Sequence, residues 1–223
     1  MYNEFIFFLH VALQALTLYV AVSLRGVALE VLLCVLLIVA NLFVTKVITL
    51  FGVTATCSEV FIVGSMYGFA ILREQKGVAH ARRVIWYSFY ALLFFLCTTY
   101  FHMHYTTDAP AFLQEAFVGV LQHTPRLFLA SLSAYLISER LHLFFQRFFY
   151  RYMSVTYARP LSVLCGQSVD SCVFGYVGLY GVLHDLWSVI FVSIFVKCIV
   201  VFASAPFVNF IMSHASFKRV DNE

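Results

Sequence analysis

At 223 residues the chain has room for one domain; 62% of it is apolar and 11% charged, with a mean hydropathy of +0.90. Soluble domains carry about 25% charged residues, so there are too few charges to coat a water-facing surface, and 25 Phe and 13 Tyr against 10 Gly and 4 Pro argue against a disordered or fibrous chain. The net charge of +3 is small and no stretch interleaves many Lys or Arg with aromatics, so no nucleic-acid partner is expected.

A helix needs about 20 mainly apolar residues to cross the hydrocarbon of a bilayer, and seven segments qualify, at roughly 5–23, 27–45, 56–72, 84–103, 112–139, 161–183 and 186–212. The expected fold is an all-α polytopic membrane bundle of about seven transmembrane helices in one domain. The first segment resembles a signal peptide in length, but only Glu4 precedes its apolar run and Arg25 follows in place of a small-residue cleavage site, so a retained span is expected. Arg25 falls between spans one and two, and Arg73, Lys76, Arg82 and Arg83 between three and four. Arg140, Arg147, Arg151 and Arg159 fall between five and six, and Lys218 and Arg219 follow span seven. These connections alternate, whereas the opposite loops hold Asp108 and Asp185 and almost no base. The positive-inside rule therefore predicts an outside N-terminus and a cytoplasmic C-terminus.

Six cysteines (Cys34, Cys57, Cys97, Cys165, Cys172, Cys198) are scattered through apolar stretches with no Cys-x-x-Cys pair, and are expected to be packing residues. His102 and His104, two apart, do not share a helix face and are expected in an interfacial loop; no metal or cofactor is expected. The fifth span is too long for a plain crossing, since about 28 residues reach about 42 Å. It contains Gln122-His123-Thr124-Pro125-Arg126, and Pro125 predicts a broken helix, with an outer arm from Ala111 to Leu121 and an inner arm from Arg126. Transporters place such breaks at substrate sites, although a plain proline kink fits the same residues.

Lys46, Glu59, Arg126, Asp170 and Lys197 are the charges left in or near the spans. Asp170 lies about ten residues into span six, Lys197 about eleven into span seven, and Arg126 about thirteen from the inner end of span five, each about 15–20 Å deep. An ion at a helix centre costs about 2.5–3.5 kcal/mol, so the three should face the bundle interior and pair, either as internal glue or as the lining of a polar site. Gln167, Asp170, Ser171 and Phe174 follow i, i+3, i+4, i+7 and share one face of span six. Ser171, Gly175 and Gly178 are small residues at close-packing spacing.

These residues bring a family into view. Ala40-Asn41-Leu42-Phe43-Val44-Thr45-Lys46 with Leu50-Phe51-Gly52-Val53-Thr54-Ala55-Thr56 resembles the queuosine precursor transporters, a vitamin-uptake-type family. So do Gly77 with Ala81-Arg82-Arg83-Val84-Ile85-Trp86, and Pro125-Arg126 with Ala130-Ser131 and Ala134-Tyr135-Leu136-Ile137-Ser138. The strongest likeness is Gly166-Gln167-Ser168-Val169-Asp170-Ser171 with Phe174, Lys197 and Pro206-Phe207. The resemblance covers residues 28–212 and implies a six-helix transporter core, with 1–24 as an extra span and 213–223 as a cytoplasmic tail. It further implies import of a 7-deazaguanine base (the cyano or aminomethyl precursor, or queuine) across a bacterial inner membrane, for salvage into transfer RNA. In that reading Asp170 accepts from the ring N–H and exocyclic amine of the guanine-like edge, Arg126, Asn41 or Gln167 donates to the ring carbonyl, and Phe174 stacks on the base, beside Ser171 and Lys197. The chain departs from the family pattern at Ala70, where Asp is frequent, and at Glu59, Glu139 and His142, where Asn, Gln and Asp are frequent. Glu59 would attract a cationic aminomethyl group, whereas Glu139, Arg140 and His142 are expected to be solvated at the inner edge. Coupling to protons or sodium and the oligomeric state stay open.

Other readings remain in view. A subunit that binds substrate and relies on a separate energy-coupling module shares the same features. A retinal protein would use Lys197, but the position four residues earlier is Ser193 and not an acid. An enzyme is not expected, because there is no His-Glu-x-x-His pair, no Gly-x-Ser-x-Gly elbow and no suitable acid pair.

Overall fold

The computed structural model describes residues 2–24, 26–44, 46–106, 110–121, 125–180 and 186–220. Arg25, Asp108, Gln122, His123, Thr124 and Asp185 lie outside the described residues, as do residues 221–223 of the tail and the side chains of Arg126, Lys218 and Arg219. In chain order the described elements are α1 (Tyr2–Leu24), α2 (Ala28–Phe43), β1 (Val47–Leu50), β2 (Val53–Thr56), α3 (Glu59–Lys76), α4 (Val78–His104), α5 (Ala111–Leu121), α6 (Pro125–Tyr152), α7 (Val155–Phe174), a π-helical turn (Gly175–Leu179) and α8 (Leu186–Val220).

Among the described residues, three helical stretches are long and apolar enough to cross a membrane by length and composition: α1, α4 and Val189–Ile211 of α8. Their outer faces leave large apolar groups uncovered, among them Leu13 and Leu16 on α1, Tyr90 and Phe94 on α4, and Phe191, Phe195 and Phe202 on α8. In water such a surface would be unstable, and in lipid it is the natural exterior. α3, α6 and α7 are less apolar because they carry the polar groups buried inside the bundle.

α3 is the central helix, with Val63 through Leu72 continuously buried. Gly64 and Gly68 sit four apart on it and let neighbouring helices approach closely. A Cβ at Gly64 would come within 2.6 Å of the Gln14 amide of α1, and one at Gly68 within 2.5 Å of Leu33 Cδ2 of α2. At the far side of the bundle Gly175 does the same for α8, since a Cβ there would stand 2.6 Å from Ile190 Cγ1.

α5 ends at Leu121 and α6 opens on Pro125, and residues 122–124, where the break was expected, lie outside the described residues. Proline suits a first helical position because its missing N–H would have no partner there in any case. The inner arm is longer than expected, however. α6 has 28 residues, about 42 Å of helix, and continues past 139 to Tyr152. His102 and His104 also differ from expectation, occupying the last turn of α4 instead of a loop.

The all-α expectation needs one correction, an antiparallel hairpin of β1 and β2 paired from Val47↔Thr56 to Leu50↔Val53. Its two-residue turn has positive φ at both Phe51 (52°) and Gly52 (79°), the geometry that matches strand twist in tight hairpins. Leu50 and Ala55 face inward. Phe51 meets Phe7 and Phe8 of α1 edge-on at 6.1 and 6.2 Å, its backbone N–H donates to Glu4 Oε1 (3.2 Å), and Asn3 donates to the Thr49 carbonyl (3.1 Å). The hairpin therefore marks the end of the bundle where α1 begins.

The opposite end is basic. Lys76 pairs with Glu30 at 2.7 Å and donates to the Gly26 carbonyl, tying the α3–α4 connection to the α1–α2 connection. Arg159 of α7 grips Glu74 of α3 with two hydrogen bonds, Nε to Oε1 at 3.0 Å and Nη2 to Oε2 at 2.8 Å. Arg159 also donates to Asn209 of α8, and Tyr150 of α6 donates to Glu74. Gln146 donates to Tyr150 (2.9 Å), and Arg73 donates to Gln146 (3.0 Å) and to the Leu143 carbonyl. This network joins α3, α6, α7 and α8.

Candidate functional site

Between the hairpin end and the basic network lies a cavity of about 450 Å³ bounded by α2, α3, α6, α7, α8 and the hairpin. Small-molecule sites span about 300–1,000 Å³. Its wall is largely apolar, with Leu37, Ala40, Met66, Ala134 and Ile190, and the polar side chains cluster on it instead of being spread.

Lys197 organises that cluster. It sits midway along the apolar part of α8 and is 3% exposed. Its Nζ is 2.8 Å from Asp170 Oδ2 and 2.9 Å from Ser171 Oγ, both on α7, and 3.6 Å from Glu59 Oε2 at the start of α3. Ser193, one turn before Lys197, lies 3.1 Å from Ser171 Oγ and donates to Glu59 Oε1 at 3.1 Å. Asp170 Oδ1 has a long contact of 3.5 Å from the Ser138 hydroxyl of α6. A lone buried ion is costly, and a charge pair with added hydrogen bonds offsets much of that cost. Glu59 also lies in the first turn of α3, where the helix dipole favours an anion.

The expected convergence of Asp170 and Lys197 is thus present, and Ser171, Phe174, Asn41 and Glu59 line the same cavity. Asn41 also donates to the Leu37 carbonyl one turn back. Gln167 is not part of this lining: it is buried, and neither amide atom has a hydrogen-bond partner among the described residues. The third charge beside Asp170 and Lys197 is Glu59. Arg126 was expected in that place, and its side chain is outside the described residues. Lys46 is exposed, ahead of β1.

Glu139 and His142 correct the expectation of a solvated inner edge. Both are fully buried, because α6 runs far past 139, and Glu139 lines the cavity floor. Glu139 Oε2 is 3.5 Å from His142 Nδ1, and neither carboxylate oxygen nor either ring nitrogen has a hydrogen-bond partner among the described residues. Leaving a buried polar group unpaired costs about 1–3 kcal/mol, and more for a charged one. Arg140, between them in sequence, instead turns outward over Trp86, 5.5 Å from its ring. The sequence reading named Ser138, Ser193 and Tyr135 without assigning them to the site. The helical spacing of Tyr135, Ser138, Glu139, His142, Gln146 and Tyr150 was the signal that would have found the α6 members. Among the described lining residues three acids, Glu59, Glu139 and Asp170, stand with one base, Lys197.

A helical bundle with apolar outer faces and a central cavity whose polar groups are interior fits an integral membrane protein that takes up a small molecule. The family profile described as "Putative vitamin uptake transporter" matches residues 56–211, and the chain belongs to that family of membrane transporters. Among curated proteins it is 27% identical over 190 residues to the "Probable queuosine precursor transporter" of Bacillus subtilis (strain 168), covering 82% of this chain and 81% of that protein. No solved structure matches the chain.

Proposed function

We propose that the protein imports a queuosine precursor, a 7-deazaguanine base, through alternating access around the cavity. The observation that carries this reading is the Asp170–Lys197–Glu59 constellation in the wall of a cavity of ligand size, in a chain of the vitamin uptake transporter family. Lys197 holds Asp170 Oδ2, which leaves Oδ1, with its long Ser138 contact, to accept from the N–H groups of a guanine-like edge. Phe174 offers a ring to stack on the base, and Asn41 an amide toward the ring carbonyl. Glu59 Oε2, with no hydrogen-bond partner within 3.5 Å, suits the cationic arm of an aminomethyl base.

In this reading the whole chain is one transporter unit with seven crossings, α5 and α6 together making the fifth. The basic end faces the cytoplasm and the hairpin end faces outward, as the positive-inside rule asks. The membrane is the bacterial inner membrane, and the network of Glu74, Arg159, Tyr150 and Gln146 closes the inner side. The test is complementation of a bacterium that cannot make the base but keeps the enzymes that insert it. Supplying the cyano base, the aminomethyl base and queuine separately should restore queuosine in transfer RNA only when the chain is expressed. If none of the three restores it while the protein is present in the membrane, the reading fails.

A further inference from the structure

The polar side chains of α6 do not end at the cavity. From Tyr135 and Ser138 they continue through Glu139, His142 and Gln146 to Tyr150, at helical spacing along one face. The step from Glu139 to Tyr150 spans about 16 Å of helix, and Tyr150 donates to Glu74 in the basic network. Glu139 borders the cavity, and His142 is the next group along the stripe. Gly166 of α7 makes room for it, since a Cβ at 166 would stand 2.8 Å from His142 Cβ. A carboxylate and an imidazole, wholly buried 3.5 Å apart and without hydrogen-bond partners among the described residues, form an arrangement with no evident packing purpose. It is well suited to a mobile proton. One proton is enough to neutralise the carboxylate beside a neutral ring, or to leave a carboxylate facing an imidazolium.

We propose that Glu139 and His142 are the proton-binding site that couples base import to proton entry, loaded when the cavity opens outward and emptied when it opens to the cytoplasm. This rests on the import reading above. The proton arrives from water in the cavity, is held on the Glu139 carboxyl or on the imidazole of His142, and leaves to water at the inner end. No bond other than that to the proton changes. The groups facing the pair are Asp170 from α7, itself tied to Lys197 of α8, and Tyr135 of α6 with Cys34 of α2 near it. Toward the inner end stand Arg73 and Glu74 from α3, which engage Gln146 and Tyr150. Asp170 and Glu139 line the same cavity, so occupation of Asp170 by a base and protonation of Glu139 are electrically linked.

The test uses the purified full chain in liposomes with a pH dye inside, the membrane potential clamped, and radiolabelled 7-cyano-7-deazaguanine, its aminomethyl analogue and queuine as probes. Exchange of labelled for unlabelled base, without a gradient, reads import competence alone. An outside-acid step of one pH unit should then drive accumulation of up to about ten-fold at one proton per base, with acidification of the lumen. In His142→Gln, which does not line the cavity, exchange should persist while gradient-driven accumulation falls to about one-fold; Arg140→Gln, on the outward face of the same helix, should behave as wild type. Wild type that exchanges base but neither accumulates it nor acidifies the lumen overturns the proton site and leaves the import reading standing. So does Glu139→Gln or His142→Gln with undiminished gradient-driven uptake. Wild type that exchanges none of the three bases sinks the import reading, and the coupling site with it.

Discussion

Replacing Lys197 by Met removes the group on which the cavity wall is built. The methionine fills most of the volume, so the main loss is electrostatic: Asp170 loses a 2.8 Å partner and Glu59 a 3.6 Å one, both in the interior. Removing one partner of a buried pair costs about 3–5 kcal/mol. The Asp170 side chain keeps 13% of its exposure, toward the cavity, which places the expected cost at the lower end, about 3 kcal/mol. For a chain of this size each kcal/mol lowers the unfolding midpoint by about 2–4 °C, so a fall of about 6–12 °C is expected. The assay is thermal unfolding in detergent, followed by the fluorescence of Trp86 and Trp187. Asp170→Asn should cost less, about 1–2 kcal/mol, because Lys197 keeps Glu59 and the Ser171 hydroxyl. The double variant should be little worse than Lys197→Met alone, giving a coupling energy of about 1–2 kcal/mol. If the two losses add to within about 0.5 kcal/mol, the residues do not act as a pair and the reasoning is wrong.

Other expectations follow from the same geometry. Glu74→Gln weakens the two-bond grip on the buried Arg159 and should cost about 2–3 kcal/mol, discounted because Glu74 is partly exposed; an unchanged unfolding midpoint would refute it. Gly68→Ala puts a methyl 2.5 Å from Leu33 Cδ2, where α2 and α3 touch, and should cost about 1–3 kcal/mol by overpacking. A variant as stable as wild type would mean that this contact yields freely.

The depth of Asp170 and Lys197 was legible because both count from span ends at a fixed rise of about 1.5 Å per residue. Two ions that costly at one level must meet. Glu59 was harder to place, since its position depends on the hairpin that brings the start of α3 over the cavity. That hairpin was hidden by its own composition: Val-Ile-Thr-Leu and Val-Thr-Ala-Thr are β-branched, but the turn is Phe51-Gly52 without the usual Asn or Asp. Read for apolarity alone, the stretch looks like the edge of two spans. Glu139 and His142 were misread for a related reason. Ending the fifth span at 139 put them in water, whereas α6 continues to Tyr152 and buries both. Hydropathy ends a span where polar residues begin, and here those residues face inward.

The most direct measurement is equilibrium binding of radiolabelled 7-deazaguanine bases to purified wild-type protein and to Asp170→Asn, with folding of each checked by its unfolding midpoint. Wild type should bind at least one of the cyano base, the aminomethyl base and queuine, with guanosine failing to compete. Asp170→Asn should bind at least ten-fold more weakly, a loss of about 1.4 kcal/mol or more, since one charge-assisted acceptor is removed. Folded Asp170→Asn protein that binds as tightly as wild type would contradict the assignment of the cavity as the base site.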